Sequence, residues 1–218
     1  MRIAIIGGTG YTGTNIAREA LRRGWEVRSL ARHEPEHPLE GVEYLVGTYD
    51  DEEAVARLVD GADALIVAAV PTDADDRPVL LPKLPQLVAA ATAAGARIGV
   101  IGGAGSSLLS EGGPRLLDSP DFVEEWKAGA LAHADVLEWL RSQHPAGSDA
   151  VRWFYVSPAG LYGSYAPGEN TGSYRTGGDV LVTKEDGSSE ISGGDFALAV
   201  VDELASPKHE NRRFTVGH

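Results

Sequence analysis

A doubly wound α/β fold, a parallel sheet with helices on both faces, is the architecture this sequence predicts. Three observations carry the prediction. Short β-branched apolar runs alternate with helix-period runs through the first two-thirds of the chain, a glycine-rich turn joins the first strand pattern to the first helix pattern, and glycines close two of the helices. Strands joined by helical crossovers pair in parallel and need cover on both faces.

Arg2–Ile6 reads as a buried strand from its Ile-Ala-Ile-Ile content, and residues 7–13 form the glycine-rich turn. Residues 11–23 have helical spacing, with Ile16, Ala17, Ala20 and Leu21 on one face and Gly24 as the stop. Strands follow at Glu26–Ala31 and 43–46, and Asp50 or Asp51 caps a short helix ending at Val59. The fourth strand is 64–70, a helix over 81–94 stops at Gly95, and Arg97–Ile101 is the fifth strand. Residues 102–120 form a long loop rich in Gly, Ser and Pro; the longest helical pattern covers 122–141, and 151–156 is the sixth strand. The stretch 158–178 is a second long loop, of a length that is usually functional or disordered. A short strand is expected over 179–183, a helix capped by Asp195 running to Leu204, and a last strand over 213–216. No repeat or linker divides the chain. One domain is expected over 1–218, with its core in 1–157 and substrate-side loops and C-terminal elements in 158–218.

Composition narrows the function classes. The 218 residues carry 19 basic and 32 acidic side chains, a net charge of −13, and no cysteine. A chain this acidic lacks the basic footprint that nucleic acid or an anionic membrane requires. Without cysteine there are no disulfides, thiolate metal sites or thiol nucleophiles. The apolar segment after Met1 is too short for a signal peptide, and no run approaches the ~20 apolar residues of a membrane span. A cytoplasmic protein is the expectation.

The strongest motif is Gly7-Gly8-Thr9-Gly10-Tyr11-Thr12-Gly13 at the first strand-to-helix turn. Glycines there permit a tight turn and close backbone approach, while free helix N–H groups and the helix dipole attract a pyrophosphate. NAD sites usually end the second strand on Asp or Glu, but this strand runs into Arg32. A guanidinium suits a 2′-phosphate, so NADP is favoured over NAD; the alternative is that Arg32 simply points into water.

The turn resembles that of atypical short-chain dehydrogenase/reductases. Ile101-Gly102-Gly103-Ala104-Gly105-Ser106, Asp118-Ser119-Pro120-Asp121-Phe122, Ser157-Pro158-Ala159, the stretch 167–175 and Ile191-Ser192-x-x-Asp195 resemble, more narrowly, a bacterial group described as NAD(P)H–flavin reductases. That group is similar to biliverdin reductase B and NmrA-like proteins. The resemblance spans essentially the whole chain and implies a Rossmann-type fold. It implies that Ala68, Ala69 and Val70 run past the adenosine ribose, that Gly102 and Gly103 approach the nicotinamide side, and that Pro158 and Ala159 flank the nicotinamide. Relatives have Gly-Asp after the third strand to reach the adenine, whereas this chain has Gly47-Thr48-Tyr49-Asp50, where Thr48 is the substitute hydrogen-bonding group.

Catalytic residues are harder to place. Short-chain dehydrogenases pair a tyrosine with a lysine four residues later, and none of the seven tyrosines here has one. Lys127 lies near the cofactor ribose by resemblance, or is a solvated helix charge. Ser106 is the best-placed small hydroxyl for orienting a substrate, or a turn residue. Tyr162 and Tyr165 offer a stacking wall, or ordinary loop packing. The six histidines lack ligand-type spacing, and no Gly-x-Ser-x-Gly elbow appears. Hydride transfer to a flavin needs mainly stacking and alignment of two rings, which fits the missing proton donor. The sequence therefore points to an NADP-dependent reductase of FMN, FAD or a similar planar acceptor, acting as a monomer or homodimer without a metal. A non-catalytic NmrA-like regulator, or a reductase or isomerase of a specialised small metabolite, are the alternatives.

Overall fold

Arg2–Ile6 (β1) pairs in parallel with Glu26–Ala31 (β2) on one side and Ala64–Val67 (β4) on the other, so the first strand of the sequence lies inside the sheet. The computed structural model describes residues 1–148 and 150–218. Its eight-stranded sheet has the order β3-β2-β1-β4-β5-β6-β8-β7, with β3 at Val42–Val46, β5 at Arg97–Ile101, β6 at Trp153–Ser157, β7 at Arg175–Gly177 and β8 at Arg212–Gly217. Every pairing is parallel except that of β7 with β8.

The alternation of side chains along each strand divides the core into two layers. Ala4, Ile6, Trp153 and Tyr155 face helices α2 (Glu52–Val59), α3 (Leu84–Ala93) and α4 (Lys127–Gln143), meeting Leu58, Leu87, Val136 and Leu140. Ile3, Ile5, Phe154 and Val156 face α1 (Tyr11–Arg22) and α5 (Gly193–Ala205), meeting Ile16, Phe196 and Val200. Both faces of the inner strands are therefore dry, which explains why they read as continuous apolar runs. The doubly wound architecture predicted from the alternation is the one found. Among the described residues, no helix is long and apolar enough to cross a membrane.

Several local expectations change. β4 ends at Val67, so Ala68, Ala69 and Val70 lie in the loop beyond the strand rather than inside it. Of the two candidate caps for α2, Asp51 is the one that serves, accepting from the Glu53 and Ala54 amides. Leu81–Lys83 forms a separate 3-10 turn before α3, because Pro85 fits the first turn of a new helix and would break the interior of a longer one. Ser192, not Asp195, caps α5, its hydroxyl accepting from the Asp195 amide.

The strand expected over 179–183 is absent. The edge strand is β7, and the carbonyls that a strand there would use are taken by β8 side chains. Thr215 Oγ1 donates to the Val180 carbonyl at 2.6 Å and Arg213 Nη2 to that of Asp179 at 3.0 Å. Only an isolated bridge between Leu108 and Val180 remains.

Candidate functional site

The glycine turn is shaped by close packing at three of its positions and left open at a fourth. Gly7 has φ +81°, and a Cβ there would lie 2.4 Å from the Ala68 carbonyl oxygen. A Cβ on Gly8 would meet Ser29 Oγ at 2.3 Å, and one on Gly13 the Gly7 carbonyl oxygen at 2.2 Å. Gly10 is different: its nearest such atom is 3.4 Å away, and it stands exposed as the N-cap of α1 with no side-chain cap. The first-turn amides of Tyr11, Thr12 and Gly13 consequently have no intrahelical acceptor. An exposed Thr9, an open Gly10 and an uncapped 12-residue helix make a cradle with the shape and polarity for a pyrophosphate.

On one side of the cradle, Arg32 stands exposed just beyond β2 and forms no ion pair among the described residues. Val70 is also exposed, and Ala68 lies against Gly7. Thr48 is turned toward its own loop, its hydroxyl accepting from the Asp50 amide at 3.3 Å, while the Tyr49 carbonyl accepts from Gln86. These positions share the C-terminal edge of the sheet with the cradle, as the parallel topology requires.

On the other side lies a cavity of about 600 Å³ at the ends of β5 and β6. Gly102, Gly103, Pro158 and Ala159 form its floor side, so the four positions expected to flank a nicotinamide come together on one wall. For Gly102 packing alone is a sufficient reason to be glycine, since a Cβ would lie 2.1 Å from the Tyr155 ring. The opposite walls are Phe122 and Trp126 from the segment leading into α4, Ala130 and His133 from α4 itself, and Leu161, Tyr162 and Tyr165 from the 158–178 loop. Trp126 and Tyr165 approach at 5.9 Å between ring centroids, tilted by 35°.

The long loop is tied down. Gly160 and Leu161 amides donate to Ser189, and the Thr171 and Gly172 amides donate to the Asp195 carboxylate at 2.7 and 2.8 Å. His218 Nε2 lies 2.9 Å from the same carboxylate. Burial alone would raise the Asp195 carboxyl, but these Thr171, His218 and Gly172 contacts hold it below its ordinary range. Tyr162 completes the anchorage, with its ring 4.6 Å from Phe196 and its phenol 2.8 Å from Thr12 Oγ1.

The two expected catalytic groups stand outside this cavity. Ser106 is buried behind the wall, where its hydroxyl accepts from Arg213 Nη1 at 3.3 Å, so it is not presented to a substrate. Lys127 points away and pairs with Glu124 at 3.3 Å. What the sequence reading missed is His133, whose ring lies against Gly103 and whose buried Nδ1 has no hydrogen-bond partner among the described residues. Burial pushes its pKa down to about 4, so the imidazole is neutral near pH 7. The signal was present as spacing: Trp126, Ala130 and His133 fall at i, i+4 and i+7, one helix face. Tyr162 has its phenol pushed up, first by burial, and remains protonated. Among the described residues no cluster of three or more potential metal ligands occurs.

Residues 7–207 match the family described as NAD(P)H-binding. YwnB of Bacillus subtilis (strain 168) is 33% identical over 217 residues, 99% of this chain and 98% of that protein. A solved structure from Streptococcus pneumoniae TIGR4, named a candidate NADH-flavin reductase, is 33% identical with TM-score 0.87, covering 100% of this chain and 99% of that one. One from Bacteroides thetaiotaomicron, named a candidate epimerase, is 32% identical with TM-score 0.84, covering 100% and 96%. The relatives agree on fold and differ in the activities named for them. With a Rossmann sheet, an open glycine cradle and a family match over nearly its whole length, the chain belongs to the NAD(P)H-binding family.

Proposed function

We propose that the protein is an NADP-dependent oxidoreductase that passes hydride to a flavin or similar planar acceptor. The observation that carries this reading is the aromatic cavity beside the ends of β5 and β6, open next to the cradle and walled by Trp126, Tyr162 and Tyr165. A bound nicotinamide supplies the hydride from its ring carbon. The Tyr11, Thr12 and Gly13 amides would hold the pyrophosphate and Arg32 a 2′-phosphate. Gly103, Pro158 and Ala159 would leave room for one flat ring, and the aromatic wall would keep a second ring stacked on it and exclude water.

The proton chemistry favours such an acceptor over a simple ketone. A ketone needs a proton donor at the forming alkoxide; His133 is neutral, burial makes the Tyr162 phenol a weaker acid, and no lysine lines the cavity to activate the exposed Tyr165 phenol. A conjugated ring spreads the delivered charge and takes its proton from water. The purified protein with NADPH should reduce riboflavin, FMN, menadione or dichlorophenolindophenol, followed by loss of NADPH absorbance. Tight NADPH binding with no turnover on any of them would replace this reading with that of a dinucleotide-sensing regulator.

A further inference from the structure

The cavity says more about the acceptor than that it is flat. Of the nine large apolar side chains that stand exposed among the described residues, five line this one cavity: Leu109, Val123, Trp126, Leu161 and Tyr165. Trp126 and Tyr165 remain 49% and 64% exposed, although most large aromatic groups find cover in a fold of this size. Their clustering marks a surface kept apolar for a ligand.

Charge is distributed just as unevenly. The lining contains no lysine and no arginine, and its one ionised side chain is Asp121, a carboxylate with no ion-pair partner among the described residues. Asp118, Glu124 and Glu125 flank the lining segment in the chain and are exposed. The basic residues adjacent in the chain to lining positions each have an acidic partner already: Arg115 grips Asp118 through two hydrogen bonds, Lys127 pairs with Glu124, and Lys184 with Glu190. The deeper Arg213 is paired with Asp179 and buried. Arg175, beside the lining residue Thr183, has no acidic partner among the described residues, but its guanidinium is held by the Thr183 and His218 carbonyls and does not line the cavity. A phosphate or carboxylate tail entering here would therefore face Asp121 with no cation in the lining.

We propose that the acceptor is an uncharged planar ring, a quinone or an unphosphorylated isoalloxazine, and that the site discriminates against phosphorylated flavins. The proposal deepens the oxidoreductase reading and rests on it for turnover, but it makes a claim about binding that can be read separately. In the reaction, the C–H bond at the dihydronicotinamide ring breaks and its electron pair and hydrogen pass to the acceptor. The nicotinamide is oxidised, the acceptor is reduced by two electrons, and water supplies the accompanying proton. The neutral His133 imidazole adds no charge to this balance and is a hydrogen-bonding partner for a carbonyl or ring nitrogen.

Riboflavin and FMN make the matched probe, because they share the ring and differ only in the phosphate. Binding to the NADP⁺-loaded protein is measured by quenching of tryptophan fluorescence, and kcat/KM with NADPH is measured for riboflavin, FMN and menadione. At low ionic strength riboflavin should bind at least about tenfold more tightly than FMN and show at least about tenfold higher kcat/KM, as like-charge juxtaposition at a site requires. Added salt should narrow both ratios in the wild-type protein. Asp121→Lys should narrow them as well, and the salt series stands independently if that variant does not fold. Reduction of menadione but not riboflavin would identify a quinone and still support an uncharged acceptor. FMN equal to or better than riboflavin overturns the proposal while leaving the reductase reading intact. Preferential riboflavin binding without any turnover overturns the reductase reading and leaves the binding preference standing. Failure of both riboflavin and menadione to bind overturns the proposal.

Discussion

The Thr12 hydroxyl and the Tyr162 phenol lie 2.8 Å apart, so the first turn of α1 and the loop over the cavity meet at one hydrogen bond across 150 residues of sequence. Tyr162 lines the cavity with one face, while its ring also meets Tyr11 edge-on at 5.8 Å. One side chain thus touches the glycine cradle and the aromatic cavity together. Tyr162→Phe keeps the ring packing and removes the bond. It should lower stability by about 1 kcal/mol, the worth of one hydrogen bond. It should also raise the KM for the acceptor and the Kd for NADPH together; unchanged constants in NADPH titration and steady-state assays would show the contact is only structural.

Arg32 should discriminate between the two nicotinamide dinucleotides. Arg32→Glu replaces a free guanidinium by a carboxylate where a 2′-phosphate would lie, so NADPH affinity should fall by about tenfold or more while NADH affinity changes little. Isothermal titration with both cofactors measures this. Equal losses for the two would remove the 2′-phosphate assignment.

Gly10 and Gly13 should respond oppositely to the same substitution. At Gly10 the backbone is extended at φ −78° and a Cβ meets nothing of the protein closer than 3.4 Å, so Gly10→Ala should leave the melting temperature nearly unchanged and cut NADPH binding. At Gly13 the added methyl lies 2.2 Å from a backbone oxygen that cannot swing away. Gly13→Ala should therefore destabilise the fold by about 3 kcal/mol or more. Thermal melts and cofactor titrations of the two variants separate the effects.

His133 sets an early acid limit on stability. Its imidazole takes up a proton near 6.5 when unfolded but only at about 4 in the fold, because burial opposes the charge. Below pH 6.5 the unfolded chain therefore binds more protons, and stability falls as pH drops toward 4, by up to about 3 kcal/mol before allowance for cavity water. His133→Leu should flatten the pH dependence of urea unfolding in this window. An unchanged slope would mean that the ring is hydrated when protonated.

Glu203 sets a later limit. Burial alone would raise its carboxyl, but His209 and Arg97 donate to it and hold it at about 2, with Arg97 Nη2 at 2.6 Å. That stabilisation is complete above about 4.5, the ordinary carboxyl value, and is lost as pH falls toward 2. Glu203→Ala would take from the buried Arg97 its closer carboxylate and leave only the more exposed Glu210 at 3.3 Å, which should cost about 3 kcal/mol. Chemical denaturation at pH 7 reads that loss directly.

Much of this was legible in the residue order because period and turn chemistry are local. The Ile-Ala-Ile-Ile run of β1, the glycine that stops α1 and the glycines of the cradle each declare themselves within a few neighbours. The failures were not local. The hydroxyl of Ser106 is claimed by Arg213, 107 residues away, and the 179–183 segment loses its ladder to side chains of β8. Asp195 looked like a helix cap because its residue type fits one, but Ser192 stands where the backbone turns and Asp195 is left to hold the loop.

The sequence by itself determined the doubly wound sheet, the place of the nucleotide turn and the arginine beyond β2, since these follow from short-range patterns and from the handed connections between parallel strands. Only the tertiary structure decided what lies beside them. It set Trp126, just before α4, and His133 on α4 opposite Tyr162 and Tyr165 from a distant loop, lined an open apolar cavity with a single carboxylate, and turned Ser106 and Lys127 away from it. A cavity is the space left between elements, and its walls depend on which helix face and which loop the packing turns toward one another.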